Sequence, residues 1–124
     1  MRAPTPRESA LLESLCGPAS SAEIGALREA VARHGEALRL AARHRELLPV
    51  DLADALVANL DALLADFAAL APDAQRLAVG GARYFISDTD AIPDQSGVLG
   101  LDDDVAVWNH VARRAGRPDL EIDE

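Results

Sequence analysis

Between Tyr84 and Asp104 the sequence reads YFISDTDAIPDQSGVLGLDDD, and six of these residues are aspartates: Asp88, Asp90, Asp94, Asp102, Asp103 and Asp104. Carboxylates at this density suit two kinds of chemistry. They can gather around Mg²⁺, Mn²⁺ or Ca²⁺, which prefer oxygen ligands. They can also accept the unpaired backbone N–H groups at a helix start and meet the positive end of its dipole. An EF-hand is excluded: counting from Asp88, the sixth position is Pro93 instead of Gly and the twelfth is Leu99 instead of Glu. Zinc is disfavoured as well, because His110 is the nearest histidine and no cysteine lies close.

The remaining reactive side chains form no catalytic set. His110 follows Asp103 by seven residues, so on one helix the two stand about 10 Å apart, too far for an acid–base pair. His34 and His44 are ten residues apart and diverge by about 80° around a helix, so they do not share a ligand. Cys16 stands alone beside Gly17-Pro18, Ser87 and Ser96 occur in no nucleophile elbow, and no glycine loop suits a phosphate. Gly97 and Gly100 fit turn geometry. All 12 basic residues are Arg, which removes lysine-based covalent chemistry. No catalytic residue is assigned, and the sequence is read as non-enzymatic.

The elements that must position these residues are helical. Aromatics make up only 3% of the chain, while Leu, Ala and Val are abundant, so an all-α fold of four long helices and one short one is expected. Residues 1–6 read as a disordered lead-in, 7–117 as a single helical domain, and 118–124 as an acidic, frayed tail. A short helix over Arg7–Cys16 is closed by Gly17-Pro18. Ser20 and Glu23 have capping-box spacing ahead of an apolar stripe (Ile24, Leu27, Val31, Leu38) that reaches about Leu47 and includes His34. On the opposite face, Arg28, Arg39 and Arg43 stand among Glu29, Glu36 and Glu46 and read as self-paired. Leu52, Leu56, Leu60, Leu63, Phe67 and Leu70 mark the next helix. Pro72 restarts the pattern, which continues to Ser87 through Gly80 and Gly81, placed for close approach of a neighbouring helix. A last helix over Asp103–Ala115 turns Val105, Trp108, Val111 and Ala112 inward and stops at Gly116 and Pro118.

Charge narrows the partners. Residues 1–50 hold 7 Arg against 6 Glu, whereas 51–124 hold 5 Arg against 15 acids, for a net charge of −9. Such a chain repels nucleic acid, and its acidic half suits a basic partner. A lone cysteine fits a reducing cytoplasm. The N-terminus has no signal-peptide apolar core, and no run of about 18 uncharged apolar residues occurs.

Over residues 76–112 the chain resembles the YkvA-like proteins, small bacterial helical proteins of unknown function. The residues that carry the resemblance are Tyr84-Phe85-Ile86-Ser87, then Asp90, Ile92, Pro93 and Asp94, then Val98, Leu99, Gly100, Asp103 and Asp104, all in register. Asp88 replaces a usual Pro, Thr89 an apolar residue, Gln95-Ser96-Gly97 an apolar-apolar-Pro turn, and Asp102 another apolar residue. The resemblance also implies peripheral membrane contact, which these polar replacements weigh against. Two roles stay open for Asp90, Asp94, Asp103 and Asp104: bracing an interhelical connection, or holding a divalent metal in a structural or hydrolytic site. The expected function is that of an adaptor, regulatory or assembly module that binds another protein.

Overall fold

The computed structural model describes residues 3–43, 50–91 and 101–122, without the side chains of residues 88–91 and 102. Five α-helices account for most of them: α1 (Pro6–Leu15), α2 (Ser21–Ala42), α3 (Val50–Ala65), α4 (Pro72–Ala91) and α5 (Asp102–Arg114). Short 3₁₀ turns follow at Phe67–Ala69 and Pro118–Leu120, and no strand occurs among the described residues. The expected all-α bundle is the observed architecture.

Local chemistry sets the helix ends. The Thr5 hydroxyl accepts from the Glu8 N–H at 3.1 Å while the Glu8 carboxylate accepts from the Thr5 N–H at 2.9 Å. Pro6 then occupies the first helical position, where a missing N–H costs nothing. The lead-in expected over residues 1–6 therefore gives up Thr5 and Pro6 to α1. Ser20 and Glu23 form the expected second box, at 3.1 and 2.8 Å. At the end of α5 the Arg117 N–H reaches the Ala112 carbonyl at 2.8 Å and the Gly116 N–H the Arg113 carbonyl at 3.2 Å. This paired closure needs a left-handed residue, and Gly116 supplies it with φ +80°.

Helix α4 is the centre of the bundle and touches all four others. Ala78, Val79, Ala82 and Phe85 are buried on it, facing a core that includes Leu56, Leu60 and Leu63 of α3 and Val105 and Val111 of α5. Each such Leu, Val or Phe contributes about 1.5–3 kcal/mol by leaving water. Gly80 and Gly81 serve the close approach expected of them. A Cβ on Gly80 would collide with Cys16 at the end of α1, whereas one on Gly81 would lie 3.4 Å from Val111.

Several boundaries and contacts differ from expectation. Helix α2 ends at Ala42, and the stretch expected to carry it to Leu47 runs into residues 44–49, outside the described ones. Helix α3 stops at Ala65, because Asp66 leads into the 3₁₀ turn and Pro72 then begins α4. Helix α4 runs four residues past Ser87, to Ala91, taking in the backbone of Asp90. Arg28 and Arg39 do not pair along α2. They reach across to Asp61 and Asp54 of α3 with closest contacts of 2.7 and 3.0 Å, since the two helices lie antiparallel with these side chains at their shared edge. The tail is not frayed through Ile122, whose side chain is 6% exposed and part of the core. No helix among the described residues is long and apolar enough to cross a membrane.

Candidate functional site

The two described parts of the aspartate-rich motif meet at the junction of α4 and α5. The second half of α4 carries Tyr84, Phe85 and Ser87, and the first turn of α5 carries Asp103 and Asp104. The Tyr84 hydroxyl donates to Asp103 Oδ2 at 2.9 Å. Burial, followed by the neighbouring Asp103 charge and this hydrogen bond, pushes the Tyr84 phenol far above its ordinary value. Its proton therefore stays in place, and Tyr84 is a donor rather than a base or nucleophile.

Asp103 is half-buried and Asp104 only 2% exposed. Both lie in the first turn of α5, where the helix dipole favours a negative charge. The residue in capping position is Leu101, which offers no side-chain cap, so the aspartates act from within the turn and not as the cap itself. Ser87 Oγ donates to the Tyr84 carbonyl one turn back at 3.0 Å, an intrahelical bond that gives no nucleophilic activation. Phe85 is buried and meets the His34 ring edge-on, with centroids 4.5 Å apart at 90°. That contact makes His34 a packing residue between α2 and α4.

Of the four carboxylates considered as metal ligands, only Asp103 and Asp104 have described side chains. Asp90 lies in the last turn of α4 with its side chain outside the description, and Pro93, Asp94 and Gly100 lie outside the described residues altogether. Among the described residues no group of three or more His, Cys, Asp or Glu is placed to hold a metal ion. His110, half-buried on α5, is held below its ordinary value by burial and by Arg114, with Glu13 opposing. The Cys16 thiol is pushed up by burial and by Glu13, against the pull of Arg76 and Arg83, so it is a poor nucleophile at neutral pH.

A groove opens beside the motif. It is bounded by Leu15 of α1, by Ala26, Leu27 and Ala30 of α2, and by Ile86 and Ser87 of α4, and it is a shallow trough of about 600 Å³, broadly open to solvent. Glu23 and Arg83 stand at its edges. Arg83 is fixed there because its guanidinium donates to the Leu15 carbonyl at 3.0 Å, closing the end of α1.

Another cluster escaped the sequence reading. The Asn59 amide and the Trp108 indole both donate to the Leu120 carbonyl, at 2.9 and 2.7 Å. The buried Asn109 amide donates to the Ile122 carbonyl at 2.9 Å and accepts from its N–H at 2.7 Å. The available signal was an amide next to Trp108 on a face otherwise made of Val and Ala, since a buried amide demands partners.

The family described as "Protein of unknown function (DUF1232)" matches residues 76–108. This is the YkvA-like bacterial family whose motif the sequence displays, and the match spans α4 from Arg76 onward, the connection and the first half of α5. No curated protein and no solved structure matches the chain.

Proposed function

We propose that this chain is a non-enzymatic protein-binding module whose α1–α2–α4 groove receives the apolar side chains of a partner helix. The groove itself is the observation that carries this reading. Its α2 wall is Glu23, Ala26, Leu27 and Ala30, which share one face over two turns, or about 10.5 Å. Ala26 and Ala30 are too small to fill the space between α2 and α4, and they leave a trough rather than a ridge. An amphipathic helix inserting residues spaced three or four apart fits such a trough. Glu23 and Arg83 at its edges supply one charge of each sign to fix the register of the incoming helix. The motif supports this role indirectly, because Tyr84 and Asp103 tie α4 to α5 and so hold one wall of the groove in place.

A photo-crosslinking residue at Ala26, which is exposed, tests the proposal in cells. The expected result is a discrete adduct whose crosslinked peptide is amphipathic with apolar residues three or four apart, and which disappears in Ala30→Arg. An adduct that persists in Ala30→Arg, or no adduct beyond that formed at exposed Arg114 on α5, overturns it.

A further inference from the structure

We infer that the face of α5 and α3 that carries Trp108, Asn109 and Asn59 is a peptide-recognition site, occupied in cis by the protein's own residues 120–122. Its ligand in trans is a short segment of apolar–acidic–apolar chemistry that leaves a 3₁₀ turn and becomes extended at its acidic residue. The contacts are those by which a protein reads main chain. The Asn109 amide satisfies both the N–H and the carbonyl of Ile122, as a neighbouring β-strand would. The Leu120 carbonyl receives two donors at once, from Asn59 and Trp108. Between them Glu121 takes a two-pronged ion pair from Arg113, at 2.9 and 3.5 Å. Ile122 inserts its side chain into the core. Four side chains from two helices thus hold three residues by backbone, charge and one apolar anchor, and none of them requires the peptide to be covalently attached.

The segment that fills the site arrives through a connection of only a few residues, Ala115–Arg117 after α5 and then Pro118 and Asp119, which open the 3₁₀ turn. A tether that short holds the tail at a high effective concentration and masks the site from free peptide. The apparent affinity for a peptide in trans is reduced by the fraction of molecules with the tail released. The tail is accordingly a built-in competitor, and a partner segment must match its chemistry to displace it.

The test uses the full chain and a fluorescent peptide PDLEIDE, copied from residues 118–124. Ile122→Ser loosens the tail by removing its anchor. Anisotropy should show the peptide binding Ile122→Ser at least tenfold more tightly than wild type, and adding Arg113→Gln should reverse most of that gain. Trp108, the one tryptophan, should shift its emission when the tail leaves and shift back when the peptide binds. If Ile122→Ser does not unfold cooperatively, Glu121→Gln makes the same comparison with the anchor intact. Equal affinity in wild type and the loosened variants, no binding to any of them, or a gain that Arg113→Gln leaves untouched would each show the tail to be a fixed part of the fold and overturn the inference.

Discussion

Gly80 and Gly81 are neighbours on α4, yet alanine at the two positions should change stability in opposite directions. Intrinsic propensity treats them alike: Gly→Ala inside a helix gains about 1 kcal/mol at either site. Their surroundings do not. At Gly81 the new methyl would lie 3.4 Å from both methyl groups of Val111, a close contact that a small shift of one side chain relieves. Gly81→Ala should therefore retain most of its propensity gain and stabilise the protein by up to about 1 kcal/mol. At Gly80 the methyl would collide with Cys16 Sγ and also stand 3.2 Å from the Cys16 N and Cα. Backbone cannot rotate away, so the α1 terminus must move, and the move strains the Arg83 bond to the Leu15 carbonyl. Overpacking of this kind costs about 1–3 kcal/mol. Net of propensity, Gly80→Ala should destabilise by up to about 2 kcal/mol.

Urea denaturation of the two variants and wild type measures the difference directly. Cys16→Ala on the Gly80→Ala background should recover only part of the loss, because it removes the sulfur and leaves the backbone contacts. A Gly80→Ala protein as stable as Gly81→Ala, or one fully rescued by Cys16→Ala, would refute the claim that backbone approach between α1 and α4 dictates glycine at this position.

Four further outcomes follow from the same geometry. Tyr84→Phe should cost about 1–2 kcal/mol in urea denaturation, the loss of a hydrogen bond to a carboxylate that is partly solvated; an unchanged midpoint would show that the bond contributes nothing. Because the folded Tyr84 phenol ionises above its unfolded value of about 10, stability is whole below that pH and falls as pH rises beyond it, so phenolate absorbance should appear together with loss of helical circular dichroism. His110 has the opposite sign: its folded value is depressed, so stability is complete above about pH 6.5 and is lost as pH falls below it, and wild type should lose more between pH 7.5 and 5.5 than His110→Gln does. Asp104→Asn should lower the melting temperature to the same extent with and without chelator, whereas a wild-type melting temperature that rises with Mg²⁺, Mn²⁺ or Ca²⁺ would make the aspartates ligands.

Helix identity was legible because periodicity and end signals agree at each long element. The stripe of Leu56, Leu60 and Leu63, the Ser20–Glu23 box and the Gly116 stop are local features, and each is where the sequence pattern predicts it. The first helix start was equally local and was overlooked: Thr5-Pro6-Arg7-Glu8 has the same box spacing as Ser20–Glu23 with a proline in the favoured place. Other features depend on which helices become neighbours, and no short-range pattern carries that. Arg28 had nearby glutamates on its own helix, and only the antiparallel docking of α3 brought Asp61 within 2.7 Å. The tail reads as frayed because its composition is acidic, yet one isoleucine and two carbonyls meet three side chains from distant positions. The candidate site was half legible. Tyr84 and Asp103 were singled out by type and place, while the groove beside them arises from alanines, whose significance is the space they leave.

One turn of α4 explains why the motif and the groove belong together. Arg83 reaches the Leu15 carbonyl of α1, Tyr84 holds Asp103 of α5, and Phe85 packs on His34 of α2. Ile86 and Ser87 then face the groove. Five consecutive residues, advancing about 100° each, sweep past a full circle, so the first three reach α1, α5 and α2 and the last two turn to the groove. With α4 held to α1, α2 and α5, its wall of the groove has little room to shift, which on the proposed function reduces the ordering cost of binding. On that reading, Tyr84 and Asp103 bear on binding without touching the partner, whereas Ile86 and Ser87 of the same motif line the groove itself. Tyr84→Phe should weaken crosslinking from Ala26 only as far as it loosens α4 from α5, in proportion to its loss of stability. Ala30→Arg should abolish the same adduct with no loss of stability at all. Equal effects of the two variants on stability and on crosslinking would erase the distinction between the brace and the surface it supports.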